Sequence, residues 1–361
     1  MLMRLVELLS WLALPISLIA VIDDWFLRPR RQIAAAPQPA RDPVIVQLAY
    51  YALPVLIGAA VIRLLVAERL DFSLVLLLIA VVTGAVWLLD VALLRRMRMS
   101  AARAAGKDPQ AVSEPGTVDY ARSFFPVAVV VLVLRSFVFE PFRIPSDSMM
   151  PTLLDGDFII VSKFAYGLRL PILNTELVPL DEPTRGDVVV FRYPADPSIN
   201  YIKRLAGLPG DRVRIQNDHL FINGKPVGAV DRGIYEDGCY QGMRLAAEQL
   251  GEHEHLIMYC PTAGDIAVEP LPGCNRRQPR SYVCMESEYV GLPDRGDTVE
   301  IVVPPGRYLM IGDNRDNSQD GRYFGFVPED HLVGKATRIW FNWDLQRSGG
   351  PIWSRIGDPI K

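Results

Sequence analysis

Histidine is scarce in this chain. Only His219, His253, His255 and His331 occur among 361 residues. That narrows nucleophilic chemistry, because imidazole is the usual activator of a serine. His219 sits in a strand-like hairpin, and His253 and His255 flank Glu254 in a polar stretch. Cysteine is equally sparse, with Cys239, Cys260, Cys274 and Cys284 confined to one region. There is no Cys-x-x-Cys, and no histidine has a partner at zinc-site spacing, so no metal is expected. The net charge of −3 comes without a basic stripe or aromatic–basic interleaving. Nucleic acid is therefore not an expected partner. Helical periodicity is rare beyond the first third, with Met243–Leu250 the best candidate there.

What the chain has in excess is long apolar runs, all near its start. Half of the residues are hydrophobic, and the surplus falls in the first 140. Four transmembrane helices are expected over residues 5–22, 46–67, 72–94 and 121–139, the last around the run Phe124 to Phe139. A bilayer needs about twenty apolar residues per helix, and the middle two meet that length. Arg28, Arg30, Arg31 and Arg41 follow the first run, and Arg95, Arg96, Arg98, Arg103 and Lys107 follow the third. The positive-inside rule makes both segments cytoplasmic. The N-terminus and everything after Phe139 then face outward. Positive charge after the first run, rather than before it, argues against a cleaved signal peptide. Val21–Arg28 echoes Leu88–Arg95, each an inner span end with an aspartate followed by basic residues. Duplication and two independent stop-transfer ends both account for that echo.

From Phe158 onward the texture changes. Phe158–Val161, Asp187–Phe191, Arg212–Ile215, His219–Ile222 and Thr298–Val303 are short β-branched or aromatic runs separated by turn formers. That is the pattern of an antiparallel β domain. Asn223-Gly224 between two such runs predicts a tight hairpin. The organisation expected is a membrane region over 1–142 and a mainly antiparallel β domain over 143–361, with an inserted β subdomain at about 216–300. In an extracytoplasmic setting the four cysteines read as one or two disulfides, and any of three pairings is open.

Three segments carry chemistry. Ile144-Pro145-Ser146-Asp147-Ser148-Met149-Met150-Pro151-Thr152-Leu153 begins just after the last apolar run. Tyr201-Ile202-Lys203-Arg204 places a lysine behind two apolar residues. Gly312 to Arg322 is a polar run dense with acids and arginines, following the apolar Tyr308–Ile311. A serine hydroxyl needs a base. No Gly-x-Ser-x-Gly elbow surrounds Ser148 and no histidine accompanies it, so a lysine is the physical alternative. Its pKa must fall about three units from roughly 10.4 to serve near neutrality, and burial in apolar surroundings has that effect.

Together these segments resemble the bacterial type I signal peptidases, membrane-bound serine proteases. The likeness runs in order through Ser123–Pro126, Arg135–Phe137, Glu140–Phe142, Ile144–Leu153, Gly156–Ile159, Arg185–Val188, Tyr201–Arg204 and Gly312–Ser318. It covers about residues 71–361. The resemblance implies a signal-peptidase-like fold and removal of N-terminal signal peptides after Ala-x-Ala, with no cofactor. The partners implied are preprotein signal peptides and the lipid bilayer. The location implied is the bacterial inner membrane, with the catalytic domain on the periplasmic side. By the same resemblance Ser148 is the nucleophile and Lys203 the base. Ser146 and the Ser148 backbone form the oxyanion hole, and Ser318 orients the lysine. Asp313 pairs with Arg204, and Asp320 with Arg322. Phe142, Ile144, Met149, Leu153, Tyr201 and Ile202 line the substrate pockets.

This chain departs from the family pattern at three places. Asp147 stands where many relatives carry glycine, and is expected to face solvent so that its charge stays away from the lysine. Gly321 stands where serine is common. The spans before Phe72 exceed the usual two. A self-cleaving regulator with the same dyad would carry a DNA-binding domain in place of these spans, and a degenerate scaffold would lack the intact Ser148, Lys203 and Ser318.

Overall fold

The computed structural model describes residues 2–35, 42–66, 72–106, 108, 114–169, 176–216, 219–236, 240–260, 300–343 and 350–361. The chain divides into two compact units, Met1–Ser136 and Phe137–Lys361.

In the first unit the apolar runs satisfy their backbone polar groups within helices, as a bilayer requires, and two short arginine-rich helices, Arg28–Ala35 and Arg95–Ala104, continue the first and third of them. These are α1 (Leu2–Ile22), α2 (Arg28–Ala35), α3 (Val44–Val66), α4 (Phe72–Leu89), α5 (Arg95–Ala104) and α6 (Gly116–Val133). A π-helical turn, Asp23–Leu27, joins α1 to α2, and another, Asp90–Leu94, joins α4 to α5. Four of the resulting rods are long and apolar enough to cross a membrane: Arg4–Ala35, Val44–Leu65, Phe72–Ala104 and Gly116–Val138. Helix α1 packs on α3, and α4 on α6. The echo seen in sequence recurs in structure. Each π-turn opens on a buried aspartate. Asp23 pairs with Arg31 at 2.7 Å, eight residues on, and Asp90 pairs with Arg98 at the same spacing. Asp24, fully buried, accepts hydrogen bonds from the Thr117 backbone N–H and hydroxyl, both at 2.7 Å. It therefore caps the start of α6 and ties the first span to the fourth.

The second unit is built on antiparallel strands, the fold class expected from the sequence. Its first strands are β1 (Phe139–Arg143), β2 (Asp157–Ser162), β3 (Leu168–Arg169) and β4 (Glu176–Val178). Next come β5 (Val188–Tyr193), β6 (Asp196–Gly207), β7 (Arg212–Gln216), β8 (His219–Ile222), β9 (Lys225–Pro226) and β10 (Ala229–Ile234). The remainder are β11 (Arg244–Leu250), β12 (His253–Tyr259), β13 (Ile301–Val302), β14 (Arg307–Ile311), β15 (Val327–Pro328) and β16 (Leu332–Asn342). Phe139 belongs to β1 and not to the preceding helical turn, which ends at Val138. The boundary expected after residue 142 thus falls inside β1.

Seven strands form the main sheet in the order β1-β2-β16-β5-β6-β14-β15. Period-two alternation explains the continuous apolar run in β5. Val188 and Val190 pack with Ile159, Val161 and Ile202 in one core. Val189 and Phe191 pack with Leu205, Tyr308 and Met310 in another. The strand is buried on both faces, so both parities must be apolar.

Two smaller sheets are β10-β11-β12 and β13-β7-β8-β9; strands β8 to β12 fall within residues 216–300, with β7 and β13 at or beyond its ends, and residues 261–299 are outside the described set. Asn223 and Gly224 adopt φ of 53° and 77° between β8 and β9. Both angles are positive, as a type I′ hairpin turn needs. The helix expected over Met243–Leu250 is a strand. Arg244–Leu250 pairs with β10 on one side and β12 on the other. Its Ala, Glu, Gln and Leu favour helix, but ladder bonds on both edges override that weak preference. Cys260 is disulfide-bonded, while Cys239, Cys274 and Cys284 lie outside the described residues, as does the question of their pairing.

Candidate active site

The turn after β1 is fixed at both ends. Ile144 N–H donates to Asp157 O at 2.8 Å, and Gly156 N–H donates to Ile144 O at 3.0 Å. Between them Met149 and Leu153 are fully buried anchors. They leave Ser148 8% exposed at the edge of the core. Lys203 comes from β6, opposite Val189 of β5, and is 4% exposed. The structure places the two side chains together. Lys203 Nζ donates to Ser148 Oγ at 2.7 Å and to the Ile202 carbonyl at 2.8 Å.

Burial penalises the ammonium form and brings the Lys203 pKa down to about 8. Asp320 and Asp313 pull the other way, and Arg322 assists the lowering. The amine is thus held where a modest rise in pH frees it, while the 2.7 Å hydrogen bond gives the proton a path from the hydroxyl. Ser146 Oγ lies 3.3 Å from Ser148 Oγ, on the same turn.

The Gly312–Arg322 segment braces this pair. Asp320 accepts from Gly312 N–H at 2.8 Å and from Arg322 Nε and a terminal guanidinium N–H, also at 2.8 Å. Burial alone would raise the Asp320 carboxyl, but Arg322 holds it below the usual carboxylate range. Arg204 grips Asp313 through two bonds, 2.8 Å and 2.6 Å, and donates to Gly186 O at 2.8 Å. Asp313 likewise stays below its ordinary value, burial being outweighed by Arg204. Ser318 is buried, and its hydroxyl supports the Asp320 carboxylate without the alignment of a full hydrogen bond. It sits against Gly312, where a Cβ would stand 2.1 Å from Ser318 Oγ and 2.6 Å from Ser148 O. At Gly321 a Cβ would stand 2.8 Å from Met310 O, so the small residue fits the turn found here.

Of the expected pocket residues, Ile144, Met149, Leu153 and Ile202 share one buried cluster, with Phe142 packed against it. Tyr201 stands apart, stacked on Tyr193 with ring centroids 4.6 Å apart, in the cluster of Phe191 and Phe324.

Several contributors were not singled out from sequence. Asn314 N–H donates to Ser148 O at 3.1 Å, and Asn314 Nδ2 donates to Asp147 O at 3.0 Å. Thr152 Oγ1 donates to Asp313 at 2.5 Å. Both lie inside recognised segments and could have been named there. A buried group of Glu248, His255 and Arg315 adjoins the site. Arg315 pairs with Glu248, and His255 Nε2 stands 3.3 Å from Glu248 and 3.8 Å from Asp313. These residues depend on β11 and β12 lying beside the site, which no local signal disclosed. Asp147 corrects an expectation. It is only half-exposed, and its carboxylate accepts from Tyr240 Oη at 2.9 Å. A phenol distant in sequence meets it there.

Residues 117–341 match the family model described as signal peptidase, peptidase S26. A signal peptidase I of Pseudomonas aeruginosa is 43% identical over 309 residues, covering 80% of this chain and 98% of that protein. One from Pseudomonas fluorescens is 41% identical with the same coverage, and one from Haemophilus influenzae is 31% identical over 79% of this chain and 90% of its own. A solved signal peptidase I from Enterococcus faecalis shares 23% identity over 43% of this chain and 97% of its own, with a TM-score of 0.23. With more than half its length matched by the family model and the similarity to P. aeruginosa spanning nearly all of that relative, this chain belongs to the signal peptidase family, peptidase S26.

Proposed function

We propose that the chain is a signal peptidase I that removes N-terminal signal peptides from exported preproteins, with Ser148 as nucleophile and Lys203 as general base. The observation that carries this reading is the 2.7 Å contact between a buried amine and a buried hydroxyl, with no imidazole among the side chains that contact Ser148 Oγ. Neutral Lys203 takes the Ser148 proton as Oγ attacks the scissile carbonyl. The oxyanion so formed is held by the Ser148 backbone N–H and the Ser146 hydroxyl, each such donor contributing about 3–4 kcal/mol. The Lys203 ammonium then protonates the leaving amine. In the second half neutral Lys203 takes a proton from water as the water oxygen attacks the acyl-enzyme carbonyl, and the ammonium returns that proton to Ser148 Oγ as the ester bond breaks and the signal peptide leaves as a free acid.

By its likeness to the family, Ser318 is assigned to orient the ammonium between the two halves; the Lys203 amine itself bonds to Ser148 Oγ and the Ile202 carbonyl. The salt-bridged carboxylates of Asp313 and Asp320 stay ionised through the cycle. Tyr201 belongs to the neighbouring cluster of Phe191 and Phe324, while the cluster of Ile144, Met149, Leu153 and Ile202, with Phe142 packed against it, makes an apolar floor suited to alanine side chains. That matches the Ala-x-Ala ending of secretory signals.

The catalytic unit is assigned to the outer face of the inner membrane. This rests on the arginines after the first and third spans. Exposed Trp340, Trp343 and Trp353 are aromatic groups of the kind that settle at headgroup depth. Purified full-length protein is expected to cut a peptide whose apolar core ends in Ala-x-Ala, and Ser148→Ala and Lys203→Ala to lose turnover by orders of magnitude. Undiminished cleavage by either variant would refute the assignment of that residue.

A further inference from the structure

The peptide between Asp147 and Ser148 supplies the backbone N–H that points at the oxyanion. A peptide is planar, so whatever fixes its carbonyl and its Asp147 end also fixes the direction of that N–H. The carbonyl end is held by Asn314 Nδ2 at 3.0 Å and by Met150 N–H at 3.1 Å. The Asp147 end is held through its side chain. Tyr240 Oη donates to Asp147 Oδ2 at 2.9 Å, and Tyr240 Oη itself accepts from Asn317 Nδ2 at 3.0 Å. Asn317 immediately precedes Ser318, so the relay runs from the bracing loop, through one phenol, to the turn that carries the nucleophile.

Tyr240 is itself well seated. It packs against the cluster of Met150, Met243 and Met258, and Met243 N–H donates to its carbonyl at 3.1 Å. The phenol therefore reaches Asp147 from a fixed base. Two amides and a phenol bracket one peptide group, which is more restraint than a surface turn needs.

We propose that Tyr240, acting through Asp147, is a positioning residue for the oxyanion hole, and that the inserted region is thereby part of the catalytic apparatus. The proposal rests on Ser148 being the nucleophile. Asp147 serves as an acceptor held in place, not as a proton carrier. Losing the phenol hydroxyl lets the peptide tilt. A donor that must meet charge only in the transition state then loses alignment, which lowers kcat and leaves KM nearly unchanged.

The test uses full-length protein in detergent with an Ala-x-Ala peptide. Tyr240→Phe and Asp147→Ala are each expected to lower kcat by about tenfold with KM within about twofold. The double variant should be no slower than the slower single one, because the two substitutions remove the same Tyr240–Asp147 bond. Asp147→Asn keeps an acceptor oxygen and should recover most of the rate. Multiplying effects in the double variant, a change confined to KM, no change in kcat, or failure of asparagine to restore activity would each overturn the proposal. Ser148→Ala run alongside separates the two readings. If it stays active, the assignment of the nucleophile fails; if it is inert while Tyr240→Phe matches the unaltered protein, only the positioning role fails.

Discussion

Replacing Lys203 by methionine makes the burial of the amine measurable as stability. The folded protein holds this group at about 8, against an ordinary value of 10.5. Below the folded value the amine is charged in both states, and folding carries the whole desolvation penalty. Above the ordinary value it is neutral in both states and the penalty vanishes. At about 1.4 kcal/mol per tenfold step, the two limits differ by about 3 kcal/mol. Between about pH 6 and about pH 9.5 the linkage relation gives roughly 2 kcal/mol of that change. Methionine is similarly long and apolar and never charges. Its loss of the bonds to Ser148 Oγ and the Ile202 carbonyl is a constant that does not vary with pH. Urea unfolding of both proteins in the same micelles, followed by tryptophan fluorescence, supplies the comparison. The stability of the parent relative to Lys203→Met should rise by about 2 kcal/mol over that range. A difference that stays flat, or falls, would refute a lysine whose charge is suppressed by burial.

Other outcomes follow from the same contacts. Asp313→Ala leaves the fully buried Arg204 without its counter-charge, and should destabilise the second unit by about 3–5 kcal/mol in denaturant unfolding; near-parent stability would show the pair to be dispensable. Gly312→Ala drives a methyl toward Ser318 Oγ and Ser148 O, so single-turnover acylation should slow by at least about tenfold while circular dichroism is unchanged. Asp320, held below the usual carboxylate pKa by Arg322, contributes stability that is present above about pH 4 and lost as pH falls through the folded value. Asp320→Asn should therefore show a shallower loss of stability in acid, and an acid profile identical to the parent would count against that pairing.

The parts legible in sequence were those whose cause is local. Asp187–Phe191 reads as a strand because its run is β-branched and aromatic; that it is buried on both faces is what the two cores show. Asn223-Gly224 declares its turn because only such residues tolerate two positive φ angles in succession. The matching span ends at Asp23 and Asp90 were visible as residues, though not as the ion pairs with Arg31 and Arg98. The motif around Ser148 and the lysine at 203 were visible as chemistry, but only the sheet brings them within 2.7 Å. What stayed hidden depends on tertiary pairing. Arg244–Leu250 carries helix-favouring residues and becomes a strand because β10 and β12 flank it. Asp147 looks solvated until Tyr240, distant in sequence, meets its carboxylate. Nothing in the local composition around Tyr240 announces that meeting.

The central claim is that the amine at 203 loses its charge within reach of the Ser148 hydroxyl. Nuclear magnetic resonance of full-length protein with isotope-labelled lysine side chains tests it most directly, the Lys203 signal being assigned by its absence in Lys203→Met. The account predicts a titration midpoint near 8, shared by the rising limb of kcat/KM against pH. A Lys203 amine that titrates at its ordinary 10.5, while cleavage already proceeds at full rate at neutral pH, would contradict it.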